Sequence, residues 1–195
     1  FAERLRLFNT PRSSWGDYQQ DLISQGGGVF ERTLKSITVT PEMAKRFDIQ
    51  KKKLPPNELI RLLLKAQVDL LWNGGIGTYV KGRRESHADV GDKSNDSVRI
   101  DANELRCAVV TEGGNLGFTQ KARIEYALQD GLCFTDALDN AAGVNCSDLE
   151  VNIKILLDKL VANGDLTVKQ RNLWLEKMTD EVAQIVLKNN YRQAQ

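Results

Sequence analysis

Three short apolar runs in this chain are each brought to a stop by glycine and asparagine. Val68-Asp69-Leu70-Leu71-Trp72 enters Asn73-Gly74-Gly75-Ile76-Gly77-Thr78. Cys107-Ala108-Val109-Val110 leads into Glu112-Gly113-Gly114-Asn115-Leu116-Gly117, and Leu132-Cys133-Phe134 leads into the stretch from Asp136 to Gly143, which contains Asn140. Each run has the length of a buried strand rather than a helix. A helical pattern at Thr119 to Leu128 separates the second from the third, and one with Leu59, Ile60, Leu62, Leu63 and Leu64, capped by Asn57, precedes the first. This alternation predicts an α/β fold with a mostly parallel sheet and helices on its faces.

The rest of the chain is read from its punctuation. Residues 1 to 23 carry Leu5, Leu7, Phe8, Trp15, Tyr18, Leu22 and Ile23 with Pro11 between them, which predicts two short helices around a turn. Gly26-Gly27-Gly28 gives a tight turn, and the alternation of Ile37 and Val39 with Ser36, Thr38 and Thr40 gives a short strand. Thr40-Pro41-Glu42 supplies an N-cap, a first-position proline and a first-turn acid, so a helix begins at Pro41. Lys51-Lys52-Lys53 before Pro55-Pro56 reads as a solvated break. Residues 81 to 97 are polar and nearly without apolar anchors, which predicts a long loop or lid. Ser147-Asp148-Leu149-Glu150 has the form of a capping box opening a helix with Ile153, Leu156, Leu157 and Leu160. Asn163-Gly164 ends it, and Thr167 with Gln170 caps a further helical stretch carrying Leu173, Met178, Val182, Ile185 and Val186.

Composition narrows the function classes. The 195 residues carry 27 Lys+Arg against 26 Asp+Glu, leaving a formal charge of +1, so no excess of base marks the chain for nucleic acid or an anionic membrane. The most apolar stretch, Leu62 to Trp72, is broken by Lys65, Gln67 and Asp69 and is too short to span a bilayer. Cys107, Cys133 and Cys146 are odd in number and lack CxxC spacing, which argues against a disulfide framework or structural zinc and for a reducing, cytoplasmic setting. Phe1 opens the chain without a targeting pattern, so the expectation is a piece of something longer. His87 with Asp89, Asp92 and Asp96 fits neither an EF-hand nor a zinc spacing, so no metal is expected.

In an open α/β sheet, ligands bind beyond the carboxyl ends of the strands. Glycine lets backbone approach a flat ligand, and asparagine offers both a donor and an acceptor, which suits carboxamides and ribose hydroxyls. Asn and Gly are also ordinary turn residues, so each loop alone admits a structural reading. Glu112 and Asp136 end strands and could form an acid/base pair or serve neighbouring loops.

The segments VDLLWNGGIGTYV, HADVGDKSND, VVTEGGNLGFTQKARIEYA and TDALDNAAGVNCSDLEVNIKILL resemble the large bacterial NAD-dependent glutamate dehydrogenases. They are also similar, more distantly, to the smaller glutamate dehydrogenases with their EGAN and NAGGV signatures. The resemblance implies NAD as cofactor, oxidative deamination of L-glutamate to 2-oxoglutarate and ammonia, and a homo-oligomeric full-length enzyme. By its motifs, Asn115 lies near the nicotinamide ribose, Asn140 contacts the nicotinamide end, and Asn73 and Gly74 run beside the cofactor. Gly113 and Asp136 join the cofactor rim, and Ser147 binds the substrate's side-chain carboxylate or simply caps its helix. Gly114 and Ala142 depart from the smaller enzymes' motifs without removing a polar group.

The chain contains no GxGxxG turn, and the family's catalytic lysine and aspartate belong upstream. The expectation is therefore an incomplete Rossmann-like unit. Residues 1–146 form the C-terminal part of a dinucleotide-binding domain and residues 147–195 a C-terminal helical segment, and the chain as a whole is not expected to turn over alone. The alternative is a non-catalytic α/β module whose helical tail serves assembly.

Overall fold

A computed structural model describes residues 1–195. Its central element is a three-stranded parallel sheet in the order β3-β6-β7, formed by β3 (Leu70–Asn73), β6 (Val109–Glu112) and β7 (Leu132–Cys133). Leu71 and Cys133 both flank Val110, so all three strands run in one direction and end along one edge. These are the three apolar runs, and each stops where glycine or a helix cap takes over. Two two-stranded ribbons accompany the sheet. β1 (Ile37–Thr38) pairs antiparallel with β2 (Lys53–Leu54), and β4 (Val80–Lys81) pairs parallel with β5 (Ile100–Asp101).

The larger core lies on the sheet face that carries Val110, with Val80, Ile100, Phe118, Ala122 and Tyr126 around it. Helix α5 (Gln120–Ala127) closes this face. Its start is fixed by Thr119, whose Oγ1 accepts the Ala122 N–H at 3.0 Å. Phe118 is almost fully buried, and such a side chain contributes about 1.5–3 kcal/mol through removal from water. A second core gathers Ile37, Met43, Ile49, Leu54 and Leu59 between the β1–β2 ribbon and the helices α2 (Pro41–Phe47) and α3 (Pro56–Leu64). The opposite face of the central sheet exposes Leu70, Trp72, Leu132 and Phe134.

Several sequence expectations need correction. The N-terminal segment forms one helix, α1 (Ala2–Phe8), followed by two single 3-10 turns rather than a second helix. Asn57 does not cap α3, because Pro55 occupies the cap position in extended conformation and Pro56 takes the first turn, where its missing N–H costs nothing. Residues 81–97 are not a free lid. They include the short helix α4 (His87–Val90), capped by Ser86, and fold around Arg99, whose side chain is completely buried. Ser147 does not open a helix either: α6 (Asp136–Asp139) passes through Asn140 directly into α7 (Ala141–Ala162), and Ser147 sits six residues inside it.

The chain ends in α8 (Val168–Lys177) and α9 (Thr179–Gln193), with α9 packed along α7. Thr167 and Gln170 form the capping box that starts α8, as their spacing requires. No helix is long and apolar enough to cross a membrane, and all three cysteines are unpaired.

Candidate functional site

Because β3, β6 and β7 are parallel, the loops that follow them emerge side by side. The turn after β6 is held by carboxylates. Glu112, buried at the strand end, accepts from Arg123 Nη2 at 2.6 Å through Oε1 and from the Gly117 N–H at 2.8 Å through Oε2. Burial pushes the Glu112 carboxyl above its ordinary range, and the Arg123 guanidinium opposes that rise. Arg123 also reaches Asp136 Oδ1 at 3.3 Å, while Asp136 Oδ2 accepts the Leu116 N–H at 2.8 Å. Glu112 and Asp136 thus share one guanidinium and brace one turn, an arrangement that supports the loop rather than proton transfer.

The brace matters because Leu116 adopts φ 60°, a left-handed conformation costly for a side chain of this kind. It is tied from a second side: Thr78 Oγ1 donates to the Leu116 carbonyl at 2.6 Å. Thr78 is itself fixed by Asp92 Oδ2, which accepts its N–H at 2.8 Å, and by Arg99 Nε, which donates to its carbonyl at 2.8 Å. Arg99 further bonds Asp96 at 2.6 Å, the Asp92 carbonyl, and His87 Nδ1 at 2.9 Å. The Thr78 N–H, with Asn95 and Ser94, holds the Asp92 carboxyl well below the usual range, at about 2. His87 is therefore engaged with Arg99, and no three His, Cys, Asp or Glu side chains converge on a metal position.

What the braced turn presents is Asn115. Asn140, the residue between α6 and α7, donates from Nδ2 to Asn115 Oδ1 at 2.9 Å. Gly143 permits this arrangement, since a Cβ there would lie 2.2 Å from Asn140 Oδ1. The bond uses one donor and one acceptor, leaving Asn140 Oδ1 and Asn115 Nδ2 free. A free acceptor beside a free donor is the complement of a primary carboxamide.

Both asparagines line a cleft of about 560 Å³ together with Gly113 and Ser147, a size suited to a small ligand or part of a larger one. Asp148 and Val151 extend the wall along α7. The seven sequence candidates thus divide. Gly113, Asn115, Asn140 and Ser147 meet in the cleft. Asn73 and Gly74 stand one strand away, with Asn73 paired in register to Glu112 and its Oδ1 accepting the Gly75 N–H at 3.3 Å. Asp136 is spent on the Leu116 turn.

The sequence reading missed Val144, Asp148, Val151 and the supporting Arg99. The first three follow from Asn140 at spacings of four, eight and eleven, one helical face, once the helix is allowed to start at Ala141. Arg99 carries no periodic pattern, and nothing in the sequence singles it out.

Comparison with known proteins adds a family and its relatives. Residues 1–195 match the family described as bacterial NAD-glutamate dehydrogenase, catalytic domain. The chain is 65% identical over 195 residues to the NAD-specific glutamate dehydrogenase of Pseudomonas aeruginosa, covering all of this chain and 12% of that protein. It is 63% identical to the protein of the same name from Halomonas elongata, again with 100% and 12% coverage. It is 53% identical to that of Mycobacterium tuberculosis, over 97% of this chain and 12% of the relative. The chain therefore spans about 12% of the length of these curated relatives.

Proposed function

Since the chain belongs to the bacterial NAD-glutamate dehydrogenase catalytic-domain family, we propose that it forms the nicotinamide end of the cofactor cleft in an enzyme that oxidatively deaminates L-glutamate to 2-oxoglutarate and ammonia. The observation that carries this reading is the Asn140–Asn115 amide pair at 2.9 Å, facing the cleft with one free acceptor and one free donor. NAD carries a carboxamide of matching polarity, so the residues present fit the group. Asn140 Oδ1 would accept the carboxamide N–H, and Asn115 Nδ2 would donate to its oxygen. When bound, NAD supplies the hydride acceptor, while these residues fix the ring's rotation about its own axis. Orientation of this kind accounts for several kcal/mol of rate enhancement in general, because donor and acceptor carbons must meet at close range.

Ser147 lies on the same wall, seven residues from Asn140, and in this reading its hydroxyl would bind a substrate carboxylate. Gly113, with Asn73 and Gly74 on the neighbouring strand, would keep the cofactor rim shallow. Asp136 would contribute indirectly, by holding Leu116.

In this reading, residues 1–146 are the C-terminal part of a Rossmann-like dinucleotide domain and residues 147–195 the helical segment. The division is one of role, since α7 runs through it. The catalytic lysine and aspartate and the pyrophosphate turn come from elsewhere in a longer, homo-oligomeric cytoplasmic enzyme, and the isolated chain is inactive. The test is Asn140→Ala in the full-length enzyme. The expected result is a rise of about tenfold in KM for NAD, the size expected when one neutral hydrogen bond is deleted from a closed site, with unchanged thermal stability. Unaltered kinetics would remove Asn140 from the cofactor site.

A further inference from the structure

Trp72 is an apolar side chain left 63% exposed on the open face of the sheet, next to the cleft. Its ring extends along the strand ends over two glycines. A Cβ at Gly74 would lie 2.2 Å from Cζ3 of the indole, and a Cβ at Gly113 would lie 2.3 Å from Cζ2. No side chain larger than hydrogen fits at either position while the ring stays there. Gly74 and Gly113 occupy corresponding places at the ends of adjacent parallel strands, after the paired residues Asn73 and Glu112. Gly113 also lines the cleft that holds Asn115 and Asn140. One glycine therefore supports the indole and opens into the site.

Trp72 is not part of the cleft wall itself, but its indole packs against Gly113, which is, so a flat ligand extending past Gly113 comes within reach of the ring. From this geometry we infer that Trp72 stacks against the nicotinamide ring and discriminates the oxidised from the reduced cofactor. The inference rests on the cofactor reading given above and deepens it. The physical ground is charge. The ring of NAD+ is a pyridinium cation, which an indole face attracts through its quadrupole, whereas the dihydropyridine of NADH is neutral. Offset stacking would hold both forms, and only the oxidised one gains the electrostatic part. Trp72 is then a specificity-determining residue that favours NAD+ as the entering form and eases release of NADH.

The experiment compares Trp72→Phe, Trp72→Ala and Asn140→Ala with the wild type in the full-length enzyme, measuring Kd for NAD+ and for NADH separately. The expected result for Trp72→Ala is a weakening of roughly 3- to 30-fold for NAD+ against about twofold or less for NADH, with Trp72→Phe between wild type and Ala. A purely structural role would move both cofactors together. Equal losses for NAD+ and NADH, or no loss with either, overturn the inference. Asn140→Ala separates the two failures. If it weakens both cofactors while Trp72→Ala weakens neither, only the stacking role falls. If neither variant affects binding, the cofactor cleft itself is misassigned and the inference goes with it.

Discussion

Arg99→Met removes the buried guanidinium that organises residues 78–98 without removing much volume. Its guanidinium is fully enclosed and donates to the Thr78 and Asp92 carbonyls, to Asp96 Oδ1 at 2.6 Å, and toward His87 Nδ1 at 2.9 Å. Hydrogen bonds to a charged group contribute about 1.5–3 kcal/mol each, and breaking a buried pair costs about 3–5 kcal/mol. Asp96 and Asp92 are 39% and 21% exposed, so water would recover part of their loss, which places the net cost near the lower end, about 3 kcal/mol. At about 1.4 kcal/mol per tenfold, local opening becomes roughly a hundredfold more frequent.

Amide hydrogen exchange on the full-length enzyme reads this directly, as about a hundredfold loss of protection confined to residues 78–98, with α7 unchanged. Arg99→Lys should restore little, since an ammonium cannot reproduce the fork that spans two carbonyls and a carboxylate. The effect should reach the cleft through Thr78 Oγ1 and the Leu116 carbonyl, raising KM for NAD a few-fold. Loss of protection below about threefold would refute the claim that this guanidinium, rather than loop packing, holds the segment.

Ser147→Ala should raise KM for glutamate about tenfold and leave KM for NAD unchanged. Because Ser147 is inside α7 and caps nothing, the same variant should be as stable as wild type or about 0.5 kcal/mol more so; a fall in melting temperature would return Ser147 to a structural role. Asp92 contributes to stability in its ionised form. Its carboxyl titrates near 2 in the folded chain against an ordinary 3.8, so its contribution is present above pH 3.8 and disappears as pH falls through about 2. The stability difference between wild type and Asp92→Asn, measured by denaturant midpoint, should therefore shrink across that interval. A difference that stays constant would show that Asp92 acts by shape alone.

The central sheet was legible because each strand is an apolar run with a hard stop, and Leu70–Asn73, Val109–Glu112 and Leu132–Cys133 form where those stops require. The caps at Thr40 and Thr167 were legible for the same local reason: a hydroxyl three residues ahead of an orphan N–H. The start of α7 was not. Ser147-Asp148-Leu149-Glu150 has every local feature of a helix start, but the preceding Asp136–Asp139 turn already supplies helical backbone, and α7 grows from it. Local pattern cannot register a nucleus contributed by a neighbouring element. Residues 81–97 misled for a different reason, since their order comes from a buried charge and its partners instead of apolar periodicity. The misplaced helix start concealed that Asn140, Val144, Ser147, Asp148 and Val151 share one helical wall.

The most direct test of the carboxamide-reading cleft is a cycle between Asn140→Ala and a cofactor analogue, 3-acetylpyridine adenine dinucleotide, whose ring bears a methyl ketone in place of the carboxamide and so lacks the N–H that Asn140 would accept. Dissociation constants of NAD and the analogue would be measured on full-length wild type and variant. The account predicts that wild type loses about tenfold in affinity for the analogue and that Asn140→Ala binds the two cofactors about equally, because both changes delete the same hydrogen bond. Penalties that simply add, with the variant still discriminating against the analogue as strongly as wild type, would contradict it.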